Sequence, residues 1–366
     1  MPASPLFKLD ISRYDLPMKR PFRLAGHRIE RRSGLLLRLR DGVQEYLAEA
    51  APLPGFSPES LDDITLHIEQ EPNWPARLLG NFPPFFDEEL PATLQFAFST
   101  LWHERKARLE GHALQTSVYA GAHRRVPVNA TLGMDEAAAI LEKAGRFYDD
   151  GFRTFKLKVG VDAAHELDVL RRLREGFPDA KLRIDANAAW QPQQALDTLR
   201  QFSDVQIEYC EQPLDPGDEE GAAWLLPKTS IPIAADEAVR SFEDARHIIQ
   251  KRLANLLIIK PMLLGSISSF LDILSLARNT RMDIVVTTAL EAGIGRRTTA
   301  KLASMIPFTS FAHGLATGGL LEHDLCPDGH LIRSGCYHVA DIARPPELLP
   351  DAETRLSPVL KTEFQL

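Results

Sequence analysis

From about residue 126 the chain repeats one rhythm: a short apolar run, then an amphipathic stretch of helical period. The apolar runs are VPVNATL, TFKLKV, KLRIDA, VQIEYC, IPIAAD, LLIIKP, DIVVTT and TSFAHG. Runs of this length and composition read as strands. Strands separated by helices cannot be joined by hairpins, so their sheet is parallel. Eight such units fit a (β/α)8 barrel. A doubly wound open sheet is the structural alternative, but no GxGxxG or P-loop follows the first strand to support it.

The preceding segment has another character. FKLDISRYDL alternates and SGLLLRLRDG ends in the turn dipeptide Asp41-Gly42, with EYLAEAAPL as hairpin partner. PGFSPES then supplies punctuation and a cap before the helical LDDITLHIEQ. LPATLQFAFSTLWHERKARLEG has helical period, with Leu94, Phe98, Leu101 and Trp102 on one side. Beyond residue 325 the chain is turn-rich and strand-like. The expected fold is therefore α/β: a modified (β/α)8 TIM-type barrel over residues 126–325, with an α+β capping domain over 1–125. The tail, 326–366, is expected to pack back on the cap and complete it.

Composition excludes some roles. In 366 residues the formal net charge is -8 and no long basic run occurs, which argues against a nucleic-acid partner. No apolar run is long enough to span a bilayer, and MPASPLFKLDISRYDL lacks the basic-then-apolar pattern of a signal peptide. The three cysteines, Cys210, Cys326 and Cys336, include no CxxC, so a disulfide scaffold or zinc site is not expected. A cytoplasmic setting and a small-molecule carboxylate substrate are expected; a homo-oligomer is compatible with the sequence.

In a barrel of this kind functional side chains sit at the C-terminal strand ends. Those ends carry Lys156 and Lys158, Asp185 and Asn187, Glu211, Asp236 and Glu237, and Lys260. The steps from Lys158 through Asp185, Glu211 and Asp236 to Lys260 are each about 25 residues, one βα unit. Three carboxylates from successive strands make a hard, all-oxygen site suited to magnesium. A lysine stands on each side. Near a divalent cation and a second ammonium, a lysine has a lowered pKa and can serve as a base. A cation can hold a substrate carboxylate and stabilise the enediolate left when the α-proton departs.

At these residues the chain resembles the enolase superfamily, in its muconate-lactonizing subgroup. The motifs FKLKVG, RIDAN, CEQP, AADE and IIKP stand where that family has its KxK lysines, its three metal carboxylates and its sixth-strand lysine. The resemblance covers nearly the whole chain. EAAPLPGFSPES, IIKPMLLGS and TTALEAGIG further resemble the o-succinylbenzoate synthases, dehydratases of menaquinone synthesis. The resemblance implies a syn elimination of water from 2-succinyl-6-hydroxy-2,4-cyclohexadiene-1-carboxylate. Lys158 would take and return the proton, Lys260 would stabilise the opposite face, and Asp185, Glu211 and Asp236 would hold magnesium, with manganese as substitute. Lys156 would sit beside Lys158 and lower its pKa. Asn187, Glu237 and Glu291 would support these groups from behind. Gly55, Phe56 and Ser57 would cover the mouth and meet the succinyl arm. Thr288, Gly314, Thr317 and Gly318 would complete the substrate contacts.

Each feature alone has a plainer reading: Asp185 and Asp236-Glu237 as helix caps, Glu211-Gln-Pro as a turn, the lysines as solvated strand ends. All five would have to be coincidental at matching strand ends. His313 and His323 read as structural, RIERR and His27 as surface or loop, and NFPPFFDEEL as cap core. The rivals within the superfamily are N-succinylamino acid racemases and dipeptide epimerases. ALEAGIGRR resembles the racemases, whereas KPMLLGS departs from their usual KPGRxGG. FAHGLATGG lacks the DxD of the epimerases. A muconate cycloisomerase fits less well. A binder that had lost its chemistry would be expected to have lost a lysine or a carboxylate.

Overall fold

The computed structural model describes residues 6–24, 27–70, 79, 90–118, 121–306 and 311–365. The stretch NFPPFFDEEL lies, but for its last residue, outside the described residues.

The N-terminal half-sheet follows from alternation. β1 (Leu6–Leu24), β2 (His27–Arg40) and β3 (Glu45–Ala50) pair antiparallel, and the C-terminal strand Leu356–Gln365 pairs with the other edge of β1. Because side chains alternate across a strand, this sheet has two faces. Phe7, Leu9, Ile11, Leu35, Leu37, Leu39, Tyr46, Ala48 and Ala50 form one core with α1 (Leu61–Gln70) and α2 (Ala92–Leu109). The opposite face, with Tyr14, Leu16, Leu36 and Leu47, joins the barrel core. Both faces are thus buried over part of the sheet. Tyr14 crosses β2 at Gly34, where a Cβ would stand 2.5 Å from its hydroxyl oxygen. Helix α2 is buried nearly all round: Leu94, Phe98 and Leu101 face the cap core and Phe96 faces the barrel.

After α3 (Leu114–Val118) and β4 (Arg125–Pro127), the barrel runs as β5 (Ala130–Gly133), α4 (Ala137–Asp149), β6 (Thr154–Lys158), α5 (Ala163–Gly176), β7 (Lys181–Asp185), α6 (Pro192–Gln201), β8 (Ile207–Glu211), α7 (Glu219–Leu225) and β9 (Ile233–Ala235). It continues with α8 (Phe242–Lys251), β10 (Leu256–Ile259), α9 (Pro261–Leu264), α10 (Ile267–Thr280), β11 (Asp283–Val286) and α11 (Gly293–Ala303). Helix starts follow side-chain caps: Asp162 accepts from the Ala164 and His165 amides, Ser241 from Asp244, and Ser266 from Ser269. Strands β5 to β11 form one seven-stranded parallel sheet in chain order. At the eighth position the described residues make two bridges: Gly314 to Thr287 and His313 to Val128. These close the ring between β11 and the approach to β5. TSFAHG therefore supplies the closure the sequence predicts; among its described residues, 311–314, His313 and Gly314 make the bridges.

Tyr209, Ala234, Leu256, Ile258 and Val285 fill the barrel floor with Phe311. Arg183 lies fully buried among them, 4.7 Å from the Tyr209 ring, and donates to Glu208 (2.6 Å) and the Ala312 carbonyl (2.6 Å). The tail then divides. β12 (Ile332–Arg333) pairs with β13 (Cys336–His338), which pairs with β4; α12 (Val339–Ile342) follows, and β14 (Leu356–Gln365) joins the cap sheet.

Candidate active site

Parallel register aligns Lys158 with Asp185 and Asp185 with Glu211 at the C-terminal ends of β6, β7 and β8. Asp236 follows β9 by one residue and Lys260 follows β10 by one. With a side-chain period of two, the residues two steps deeper, Lys156, Arg183, Tyr209, Ala234 and Ile258, share the inward face with these five.

The contacts join them into one cluster. The Lys156 ammonium lies 2.8 Å from Glu211 Oε1 and 3.0 Å from Asp185 Oδ2. Lys260 pairs with Asp236 Oδ1. Lys158 donates to Asn187 Oδ1 (2.8 Å), and Asn187 Nδ2 donates to Glu237 Oε1 (3.0 Å). The Asn187 amide bonds Asp185 Oδ1 at 3.2 Å. Asn187 achieves this at φ +44, a left-handed conformation that asparagine tolerates better than most residues. Gly160, at φ +115, lets the turn after β6 approach Ala189, which a Cβ would meet at 2.6 Å.

Charge is concentrated where water is scarce. Burial, with Asp185 and Asp236 adding repulsion, pushes the Glu211 carboxyl up to about 8. Burial and Asp236 push Glu237 up to about 7. Burial alone would raise Asp185, but the Lys156 and Lys158 ammonium groups hold it below its ordinary value. Burial would likewise lower Lys156, but Asp185 and Glu211 overcome it and favour the charged form. Lys156 is thus a fixed cation bonded to two of the three carboxylates.

Among the described residues no three acidic, histidine or cysteine side chains stand in a finished metal-binding arrangement; the lysine ammonium groups hold the carboxylates instead. The donor set nevertheless suits a hard divalent cation. Its three carboxylates come from neighbouring strand ends. Glu211 Oε2 is buried without a hydrogen-bond partner, and burial and the Asp185 charge keep the Glu211 carboxyl raised despite the Lys156 ammonium on its other oxygen. Burying such an oxygen unpaired is costly, and a bound cation would remove that cost.

Phe56 reaches the site: its ring covers the Lys260 ammonium at 4.7 Å. Gly55 turns the loop at φ +83, and Ser57 Oγ accepts from the Leu53 amide (2.9 Å), which closes the loop on itself. Thr288 and Thr317 share a hydroxyl hydrogen bond of 2.9 Å, and Gly314 packs on Thr287. Glu291 is fully engaged behind the mouth, accepting from Thr299 Oγ1 (2.7 Å) and the Ala289 amide. Gly318 lies against Arg296 and Asp328. A cavity of about 390 Å³ opens beside Lys158, lined by Met134, Asp135, Val161, Asp162 and His165. His313 is buried, with Nδ1 accepting from the Val286 amide (3.0 Å), and His323 is exposed.

Residues 139–345, more than half of the chain, match the family described as enolase C-terminal domain-like. The chain belongs to that family. Residues 7–79 match the domain described as MenC, N-terminal. The o-succinylbenzoate synthase of Mycobacterium tuberculosis is 35% identical over 205 residues, 55% of this chain and 60% of that protein. The L-amino acid-D/L-Glu epimerase of Sulfurimonas denitrificans is 30% identical over 161 residues, 44% of this chain and 47% of that protein. The chain thus matches less than two thirds of either relative. Among solved structures, the N-succinyl Arg/Lys racemase of Bacillus cereus superposes with a TM-score of 0.85 at 18% identity, covering 99% of this chain and 100% of that one. The dipeptide epimerase of Enterococcus faecalis, solved with Mg and the dipeptide L-Leu-L-Tyr, gives 0.80 at 23% identity, covering 96% and 99%. At these identities the structures establish the fold.

Within this enolase-like barrel, two residues that the sequence reading missed or misplaced bear on the site. Gln212, at φ +37, accepts from the Asp236 amide (2.9 Å) and so ties the fourth strand end to the fifth. A polar residue between Glu211 and Pro213 was its only sequence signal. RIERR, expected at the surface or in a loop, lies within β2; Arg28, Glu30 and Arg31 are exposed, but Arg32 is 2% exposed. Strand alternation turns Arg32 toward the barrel. No helix among the described residues is long and apolar enough to cross a membrane.

Proposed function

We propose that the chain is an o-succinylbenzoate synthase, which dehydrates 2-succinyl-6-hydroxy-2,4-cyclohexadiene-1-carboxylate to o-succinylbenzoate in the making of menaquinone. The observation that carries this reading is the meeting of Lys158, Asp185, Glu211, Asp236 and Lys260 at one mouth, under a cap of the MenC type. Asp185, Glu211 and Asp236 would hold magnesium, or manganese in its place. When bound, the ion supplies Lewis-acid stabilisation of the negative charge that builds on the substrate carboxylate.

The chain's own groups do the proton work. Lys158 Nζ, oriented by Asn187 at 2.8 Å, removes the proton next to the ring carboxylate. The same ammonium then gives that proton to the hydroxyl leaving from the same face. The C–H and C–O bonds break, a ring double bond forms, and water departs. Aromatisation makes the second step downhill. Lys260 offers a positive charge to the opposite face of the substrate, and Phe56 shields it from water. Lys156 remains charged between Asp185 and Glu211 and keeps positive potential beside Lys158. The reaction belongs in the cytoplasm, where three free cysteines are at home.

A second reading, racemisation of N-acylated amino acids, draws on the same pair of lysines and on the epimerase likeness. One assay separates them. The purified chain with magnesium should aromatise the cyclohexadiene substrate, and Lys158→Ala should lower kcat by about 10³-fold or more while leaving the fold unchanged. EDTA should silence the wild type and magnesium should restore it. Racemisation of N-succinylamino acids without dehydration, or full dehydration by the Lys158→Ala variant, would overturn the assignment.

A further inference from the structure

Arg32 is not used in the mechanism above, yet its setting is specific. It points from the barrel-facing side of β2 with all five N–H donors engaged, each by a backbone carbonyl. Nε donates to Leu290 O (3.2 Å); Nη1 to Ser33 O (3.0 Å) and Pro52 O (2.6 Å); Nη2 to Ala51 O (2.5 Å) and Ala289 O (3.2 Å). The carbonyl dipoles take the place of water around the buried charge. Only a guanidinium offers five donors in one plane.

The acceptors give the arrangement its meaning. Ala51 and Pro52 form the stem of the loop that carries Phe56. Ala289 and Leu290 form the turn leaving β11, next to Thr288, and Leu290 is held there at φ +58. The loop above its stem is internally tied: the Phe56 amide bonds Leu53 O (3.0 Å), the Ser57 amide bonds the same oxygen (2.9 Å), and Ser57 Oγ receives the Leu53 amide. Fixing the stem therefore fixes Phe56.

We propose that Arg32 is the positioning residue of the active-site roof: it fastens the 52–57 loop to the turn after β11 and so keeps the Phe56 ring over the Lys260 ammonium. The proposal deepens the function read above, in that it takes Lys260 to be an active-site lysine. The clasp itself is a matter of geometry. Its removal frees two loops from different domains at once, and a point-charge ammonium cannot replace it.

The test is amide hydrogen exchange on the full chain, joined to a kinetic cycle. In Arg32→Met, peptides covering residues 51–57 and 287–292 should both exchange about tenfold faster or more, while strands β6 to β10 keep their protection. Arg32→Lys should behave alike, since three donors on a flexible stem cannot reach the same four carbonyls across the two loops; it also serves if the methionine variant does not fold. Arg31→Met, on the exposed side of the strand, should change neither peptide. In the kinetic arm, Arg32→Met and Phe56→Ala should each lower kcat, and the double variant should fall no more than about threefold below Phe56→Ala alone, because Phe56 acts only where Arg32 places it. Unchanged exchange in either loop of a folded Arg32 variant, rescue by lysine, or additive losses in the cycle would overturn the proposal. The exchange arm needs no substrate. Paired loss in a chain that dehydrates nothing keeps the clasp and removes the dehydratase, whereas activity without paired loss does the reverse.

Discussion

At His313 one side chain closes the barrel by refusing charge. Its Nδ1 accepts the Val286 amide at 3.0 Å, so the ring proton resides on Nε2. Burial, reinforced by the Arg183 guanidinium, pushes its pKa down to about 3. The sign of the linkage follows. At pH 7 both folded and unfolded chains carry the neutral ring, and His313 costs nothing. Below the unfolded pKa near 6.5 the unfolded chain gains a proton that the folded chain refuses, so stability falls until the folded pKa is reached. Between pH 7 and pH 5 this group should remove about 2 kcal/mol. His313→Asn keeps an acceptor for the amide but no titrating ring. Urea unfolding at each pH should show the variant losing about 2 kcal/mol less than wild type over that interval. Parallel pH curves for the two proteins would disprove the account.

Among the elements, α11 shows most clearly what a sequence conceals. All of its residues are buried, and its own N-cap, Ala292, offers no side chain to the first turn. The acceptor comes from β3 instead. Glu49 receives the Ala292 amide (2.7 Å) and the Gly295 amide (2.8 Å), and the Tyr14 hydroxyl donates to it from β1. A carboxylate is well placed at a helix N-terminus, although burial raises this one to about 7. Glu49→Ala should therefore cost about 3 kcal/mol, from the lost cap and from the orphaned Tyr14 hydroxyl. Denaturant midpoints at unchanged m-value measure it, and a loss below about 1 kcal/mol would show that water replaces the carboxylate. Such pairings were not legible beforehand. EYLAEAA reads correctly as a strand, but the partner amides of Glu49 lie 243 and 246 residues away. Arg32 failed to declare itself for the same reason: arginine normally marks a surface, and nothing local announces the four distant carbonyls among its five acceptors. The strand ends were legible because their meaning is periodic, each one βα unit from the last.

Over the whole molecule the same contrast holds, and it decides how the chain should unfold. The strand rhythm and the five strand-end residues identify the barrel and the mouth, because parallel register converts even spacing into a shared rim. The coupling of cap to barrel is another matter, being built from contacts between distant segments. The cap sheet gives one face to α1 and α2 and lends Tyr14, Leu16, Leu36 and Leu47 to the barrel core. Helix α2 joins α11 through the buried Lys301–Glu104 pair, and the Ile267 amide bonds Ser99 Oγ at 3.0 Å. The tail pairs β13 with β4 and then returns as β14 to the cap. A cap bound in this way has no separate stability to lose. Stripping it from the barrel would expose the apolar face and take from Arg32 its Ala289 and Leu290 carbonyls, from Glu49 its two helix amides and from Glu104 its Lys301 partner, a cost of several kcal/mol. Hydrogen exchange in rising urea should then show the amides of Leu35, Leu37 and Leu39 and those of Leu256–Ile259 converging on one opening free energy with one denaturant slope. If the cap strands opened at distinctly lower urea while β10 remained protected, cap and barrel would be separate folding units, and the interface contacts would orient the cap without stabilising it.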